Sequence, residues 1–225
     1  MKTKNIFFYV VLVIVIFSST SIGQDRFSFG IKGGIGLWKF ESLQESINIH
    51  RPIEYSYPIG FSLGLFIENR LFDQFFLMNE LLFQNNVAEI TVYTGYEGIL
   101  TQKVTTQYFI VPILFKYRML WLWNTYLLLG PSFGYLIKAD YDYSDQIYSS
   151  DKGNVEMTKY LSTISSALEF GFGKEIEISS SDFNMELRAQ WGLTKFRVKK
   201  TENIFLNIGK WNNFGLIILI GYKFN

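Results

Sequence analysis

Residues 183–194 read FNMELRAQWGLT. Phe183, Met185, Leu187, Ala189, Trp191 and Leu193 occupy alternate positions, and Asn184, Glu186, Arg188, Gln190, Gly192 and Thr194 fill the places between. Side chains on a β-strand alternate between two faces, so this is a ribbon with one apolar and one polar side. The polar side is too charged for an ordinary core, and the apolar side too hydrocarbon-rich for water. Both are accommodated if the first lines a narrow barrel and the second meets lipid.

Seven more segments alternate in the same way, near 26–38, 58–68, 75–92, 103–118, 124–139, 158–175 and 212–224. In the third, Asn79 spoils the phase, which a bulge there would explain. Glycine tests the face assignment independently, because the phase is set by the large apolar residues. Of the 13 strand glycines, 12 fall on the polar side and only Gly33 on the other. A narrow, tightly curved barrel needs small residues on its inner face, and a flat sandwich has no reason to segregate them. Connections near 69–74, 119–123 and 176–182 are short, whereas those near 39–57, 93–102, 140–157 and 198–211 are longer. Short turns at one end and long loops at the other are the habit of outer-membrane barrels. The fold expected is therefore all-β: an eight-stranded antiparallel transmembrane up-and-down β-barrel over residues 24–225, with both termini on the periplasmic side.

Residues 1–23 read as a signal peptide. Lys2 and Lys4 precede the apolar run Ile6–Phe17, and Ser21-Ile22-Gly23 supplies small residues before Gln24. The run is too short to span a bilayer as a helix. Without this segment the chain carries 19 basic and 20 acidic residues, a balance that argues against a nucleic-acid partner. There is no cysteine, so disulfides and thiolate metal sites are excluded.

Charged residues also fall on the inner face. Lys32, Lys116, Lys138, Arg188 and Lys223 stand against Glu68, Glu80, Glu169 and Glu186. Near-equality of sign suits a charge-balanced packing core, since eight strands enclose only enough room for side chains. Tyr108, Ile110, Leu114, Leu128, Ile217 and Leu219 fall on the same face and should fill what the glycines leave open. Trp38, Trp121, Trp123 and Trp211, with Tyr126, Tyr55, Tyr57 and Tyr93, lie near strand ends and read as interfacial girdles. His50 is the sole histidine. It sits in a long loop near Ser42, Ser46 and Glu45, a thin basis for the nucleophile, base and orienting group that a hydrolase requires. Asp140–Asp145 begins like a calcium loop but lacks the glycine and later glutamate of that motif, leaving only a looser calcium or lipopolysaccharide-bridging role. Lys195, Arg197, Lys199 and Lys200 cluster where a strand leaves the membrane, within reach of anionic headgroups. Nothing calls for a cofactor or a catalytic residue.

FSFGIKGGIGLW in the first strand, NELLFQ in the third, YFIVPILFKY in the fourth, LLLGPSFGYLI in the fifth, ELRAQWGLTKF in the seventh and the closing GYKF resemble the PorT-type outer-membrane β-barrel family of Bacteroidetes. The resemblance implies an integral outer-membrane barrel inserted by the barrel-assembly machinery. It implies no enzymatic activity, though one member of that family supports type IX secretion. The expected partners are outer-membrane lipid and lipopolysaccharide, and a protein met through loops 39–57 and 140–157. The expected role is non-enzymatic: surface interaction, envelope integrity or an accessory to a secretion complex. The alternatives are a lipid-modifying outer-membrane enzyme and a soluble lipocalin-like barrel, the latter requiring an apolar interior.

Overall fold

The computed structural model describes residues 27–40, 53–94, 98–145, 152–178, 181–194 and 213–224. They form ten antiparallel strands: β1 (Phe27–Phe40), β2 (Ile53–Ser56), β3 (Ile59–Phe72), β4 (Phe75–Thr94), β5 (Gly98–Met119), β6 (Thr125–Asp145), β7 (Lys152–Glu156), β8 (Ile164–Ile178), β9 (Ser181–Gly192) and β10 (Asn213–Phe224). Eight close into a ring, β1-β3-β4-β5-β6-β8-β9-β10, with β10 pairing back to β1. Residues 1–26, including the leader expected at 1–23, lie outside the described residues, as do His50, Trp211 and the whole basic cluster at 195–200.

The register fixes the shape. Passing from Phe27 through Asn69, Leu77, Phe115, Leu129, Phe170, Ala189 and Leu216, the pairings return to β1 at Leu37, ten residues along. A stagger of that size over eight strands tilts them by roughly 40°, and leaves an interior that side chains can fill.

The faces divide as the alternation requires. On β10, Phe214, Leu216, Ile218 and Ile220 are exposed, while Gly215, Ile217, Leu219 and Gly221 are buried. The pattern repeats on β1, β3, β8 and β9. Exposed apolar side chains thus encircle the barrel, and the interior holds the charges. This inverts a lipocalin-like barrel and removes that alternative.

Several expectations need correcting. β4 keeps one register with β3 from Leu77 to Asn85, so there is no bulge at Asn79, which has the outer-face parity of Leu81 although its side chain is covered. The bulge falls on β6. Tyr108 pairs with Leu136 and Gln107 with Lys138, so Ile137 is the extra residue and the phase reverses beyond it. The loops expected at 93–102 and 140–157 are largely strand: β4 and β5 pair as far as Thr94 and Gly98, and β6 runs on to pair with β7. There Asp140 and Asp142 share one face of an extended strand paired on both sides, which is not the turn of a calcium loop. β2 pairs with β4 beyond β3, and β7 with β6 beyond β8. β4, β5 and β6, flanked by β2 and β7, therefore rise past the apolar band as a five-stranded blade on one side.

Residues 157–163, of which 158–163 are expected as strand, leave the sheet between β7 and β8 and turn into the mouth. Met157 N–H donates to the Ala139 carbonyl at 2.7 Å, and Leu136 N–H to that of Thr163 at 2.8 Å. Met157 and Leu161 are buried there against Ala88, Val104, Tyr108, Ile110, Leu136, Ala139 and Tyr141. Burial, with Tyr143 alongside, pushes the Tyr141 hydroxyl up to about 12, so this cap stays uncharged at ordinary pH.

Candidate functional site

The interior is the only place where the strands bring chemistry-bearing side chains together in number, among the described residues. Lys32 on β1, Glu80 on β4, Glu169 on β8, and Glu186 and Arg188 on β9 converge midway along the barrel, all buried. Lys32 Nζ donates to Glu80 Oε1 at 2.6 Å and to Glu186 Oε1 at 2.8 Å. Arg188 grips Glu80 with both terminal nitrogens at 2.7 Å, donates from Nε to Glu186 Oε2 at 2.8 Å, and reaches Glu169 Oε2 at 3.3 Å. The guanidinium fork suits two-point binding of a carboxylate, which explains arginine rather than lysine at this position.

A second charge layer lies toward the terminal end. Lys116 Nζ bonds both Glu68 and Glu175 at 2.5 Å, Arg118 bonds Glu175 at 2.9 Å, and Lys223 approaches Glu68 at 3.5 Å. Tyr126 joins the two layers, donating to Glu186 Oε1 at 2.8 Å while its ring lies 4.2 Å from Lys116 Nζ. Phe66, Met78, Leu114 and Leu128 pack around it. Above the middle layer an amide chain runs from Glu169. Gln190 Nε2 donates to Glu169 Oε1 at 3.1 Å, and Gln84 Nε2 donates to Gln190 Oε1 at 3.1 Å and to Asn86 Oδ1 at 2.7 Å. Each buried carboxylate meets a cation, as burial of charge requires.

Seven of the nine expected lumen charges, Lys32, Glu68, Glu80, Lys116, Glu169, Glu186 and Arg188, are thus buried in two paired clusters, and Lys223 reaches the second from its half-buried edge. Lys138 is not among them. The β6 bulge turns it outward just above the apolar band, where its side chain is 50% exposed and pairs with Asp140 at 2.7 Å. That bond, with the charge of Asp140, holds its ammonium above the usual lysine range. Trp38 is likewise not interfacial but wholly buried, packed with Ile217 and Leu219. Tyr126 is also inside, whereas Trp121 and Trp123 stand out from the turn between β5 and β6. Arg118 and Glu175 were missed, although they share strand phase with Lys116 and Glu169 and could have been found from it.

One opening inside the barrel, among the described residues, is small. A cavity of about 20 Å³, lined by Ser132, Gly134, Ser165, Gln190 and Gly192 among others, is room for about one water. Among the described residues the two ion-paired layers lie below it, Trp38 to one side, and the cap of Met157 and Leu161 above, so side chains fill the interior at successive depths.

A closed antiparallel barrel with lipid-suited exterior and charged, filled interior defines a transmembrane β-barrel protein. Residues 18–197 match the outer membrane protein beta-barrel domain family, and the chain belongs to it. A comparison with curated proteins finds no match. Among solved structures the chain is similar to the outer membrane protein OprG from Pseudomonas aeruginosa, at 15% identity, covering 89% of this chain and 97% of that one with a TM-score of 0.46. It is similar to Neisserial surface protein A, at 10% identity, 87% and 97% coverage and a TM-score of 0.39. A further likeness is to Ail, the attachment invasion locus protein of Yersinia pestis, at 11% identity, 88% and 99% coverage and a TM-score of 0.35. The chain is an outer-membrane barrel protein; likenesses this distant say nothing of its role.

Proposed function

We propose that the protein is a non-enzymatic, solute-tight barrel that acts through the parts rising beyond the membrane opposite its termini. The termini then lie in the periplasm, and residues 1–23 are the export signal. The reading rests on the stacked closure of the interior: two ion-paired layers, apolar packing around Trp38 and Tyr126, and the cap of Met157 and Leu161. Carboxylates already held by Lys or Arg belong to a packed core, not to an acid–base pair awaiting substrate. With the strands committed to lipid and to one another, specific contacts fall to the blade and the long connections. Surface interaction, envelope integrity or an accessory role in a secretion complex are the roles such a surface serves. The resemblance to the PorT-type family suits a Bacteroidetes source and selects none of these roles over the others.

The test is electrical. Purified protein in planar bilayers should give no steady conductance, and only brief small-ion leakage. Shortening 39–57 and 140–157 should leave an inserted, heat-modifiable barrel that has lost its surface phenotype. Steady porin-like steps from the intact protein would overturn the reading.

A further inference from the structure

The outer face of the blade continues the lipid-facing side of β4, β5 and β6, yet it is polar. Glu89, Lys103, Asp142 and Asn154 lie opposite one another across four strands, with Thr101 facing Ser144 in the row beyond. Together they line a hollow of about 480 Å³, open to the outside of the barrel. Asn154 Nδ2 donates to Asp142 Oδ1 at 2.6 Å, which fixes one wall. Among the described residues Lys103 makes no ion pair, although Glu89 and Asp142 flank it in register.

Height selects the occupant. Glu89 lies six residues beyond Phe83, and Lys103 six residues beyond Phe109, the last large aromatics of the apolar band on β4 and β5. At the strand rise and tilt of this barrel that is about 15 Å along its axis. A phospholipid headgroup extends only about 5–8 Å past the hydrocarbon, and so stops short of the hollow. A lipid carrying an oligosaccharide headgroup reaches it. Carboxylate, ammonium, amide and hydroxyl groups side by side supply the donors and acceptors that sugar hydroxyls need, and Lys103 suits an anionic substituent. We propose that this hollow binds the saccharide part of a glycolipid in the leaflet surrounding the barrel. The proposal rests on the reading above that the blade faces the outer leaflet.

The full barrel, reconstituted in phospholipid nanodiscs doped with equal amounts of core-bearing lipopolysaccharide and of lipid A lacking the core oligosaccharide, provides the test. Mass spectrometry of lipid retained by the washed, immobilised barrel should show several-fold enrichment of the core-bearing form. Lys103→Ala with Asp142→Ala should abolish the enrichment, and Glu156→Ala, on the same face but outside the hollow, should preserve it. Asn154→Ala gives the same answer if the double variant does not insert. Equal retention of the two lipids, or enrichment that survives the Lys103, Asp142 and Asn154 substitutions, overturns the proposal. The heat-dependent gel shift of each variant reports insertion separately, so a failed barrel is distinguished from a failed site.

Discussion

Trp38 owes its place inside the barrel to three glycines. A Cβ on Gly36, Gly60 or Gly215 would come within 2.5, 2.4 and 2.6 Å of the Trp38 indole. The ring therefore occupies a slot made by their missing side chains, on β1 itself and on β3 and β10. Removing the ring should cost about 3–5 kcal/mol, and Gly215→Ala alone about 1–3 kcal/mol from overpacking. In a Trp38→Ala background, Gly215→Ala should instead be close to neutral. Unfolding of the four proteins in urea and lipid vesicles measures the coupling, and strict additivity would show that the ring does not fill that slot. Trp38 shares its parity with Gly34 and Gly36, so its burial was legible in the sequence. The general tendency of tryptophan to sit at membrane interfaces outweighed that evidence, and misled. The partners of Arg188 were not legible in the same way. Its meeting with Glu80 across the lumen depends on the ten-residue stagger, and a single strand's alternation carries no information about that.

At the scale of the strand, the alternation located all eight ring members because lipid and lumen impose opposite demands on successive residues. Beyond the membrane that contrast vanishes. From Lys138 to Asp145 both faces of β6 are hydrophilic or tyrosine-bearing, which reads as loop although the backbone stays paired with β5. The bulge at Ile137 was invisible for a related reason: alternation shows that a phase changes, but here it changes where the apolar signal ends. Bulges re-aim the side chains that follow them, and this one sets Ala139 and Tyr141 into the mouth while turning Lys138 out. Deleting Ile137 should leave Leu136 inward, Lys138 outward and Ala139 inward, joined by a regular ladder. Deleting Leu129 from the same strand inverts every side chain on one side of the cut. The first deletion should therefore insert and show the native gel shift, and the second should not. Equal loss of the shift in both would refute the assigned register.

The whole molecule is closed several times over. Pro112 and Pro131 face inward and outward on β5 and β6, and neither can donate to the ladder, yet the ring remains complete because pairing resumes on both sides of each. Closure of the lumen is similarly redundant, since the Lys116 layer, the Arg188 layer, Trp38 and the cap each block it at a different depth. Stability and tightness therefore respond differently to the same change. Arg188→Met leaves Glu80, Glu186 and Glu169 with Lys32 as the sole cation beside them in that layer, and breaking a buried pair in this way costs on the order of 3–5 kcal/mol. Being buried, the loss should be nearly independent of salt, unlike one at the partly exposed Arg118 and Glu175 pair. The folded fraction should nonetheless stay silent in planar bilayers, because Trp38 and Met157 still stand above the gap and Tyr126 and Lys116 below it. Unfolding midpoints at two salt concentrations, with single-channel recordings of the same preparation, separate these effects. Stable conductance from the Arg188 variant would mean that one layer alone makes the seal, and the barrel would then be a gated pore one salt bridge away from opening.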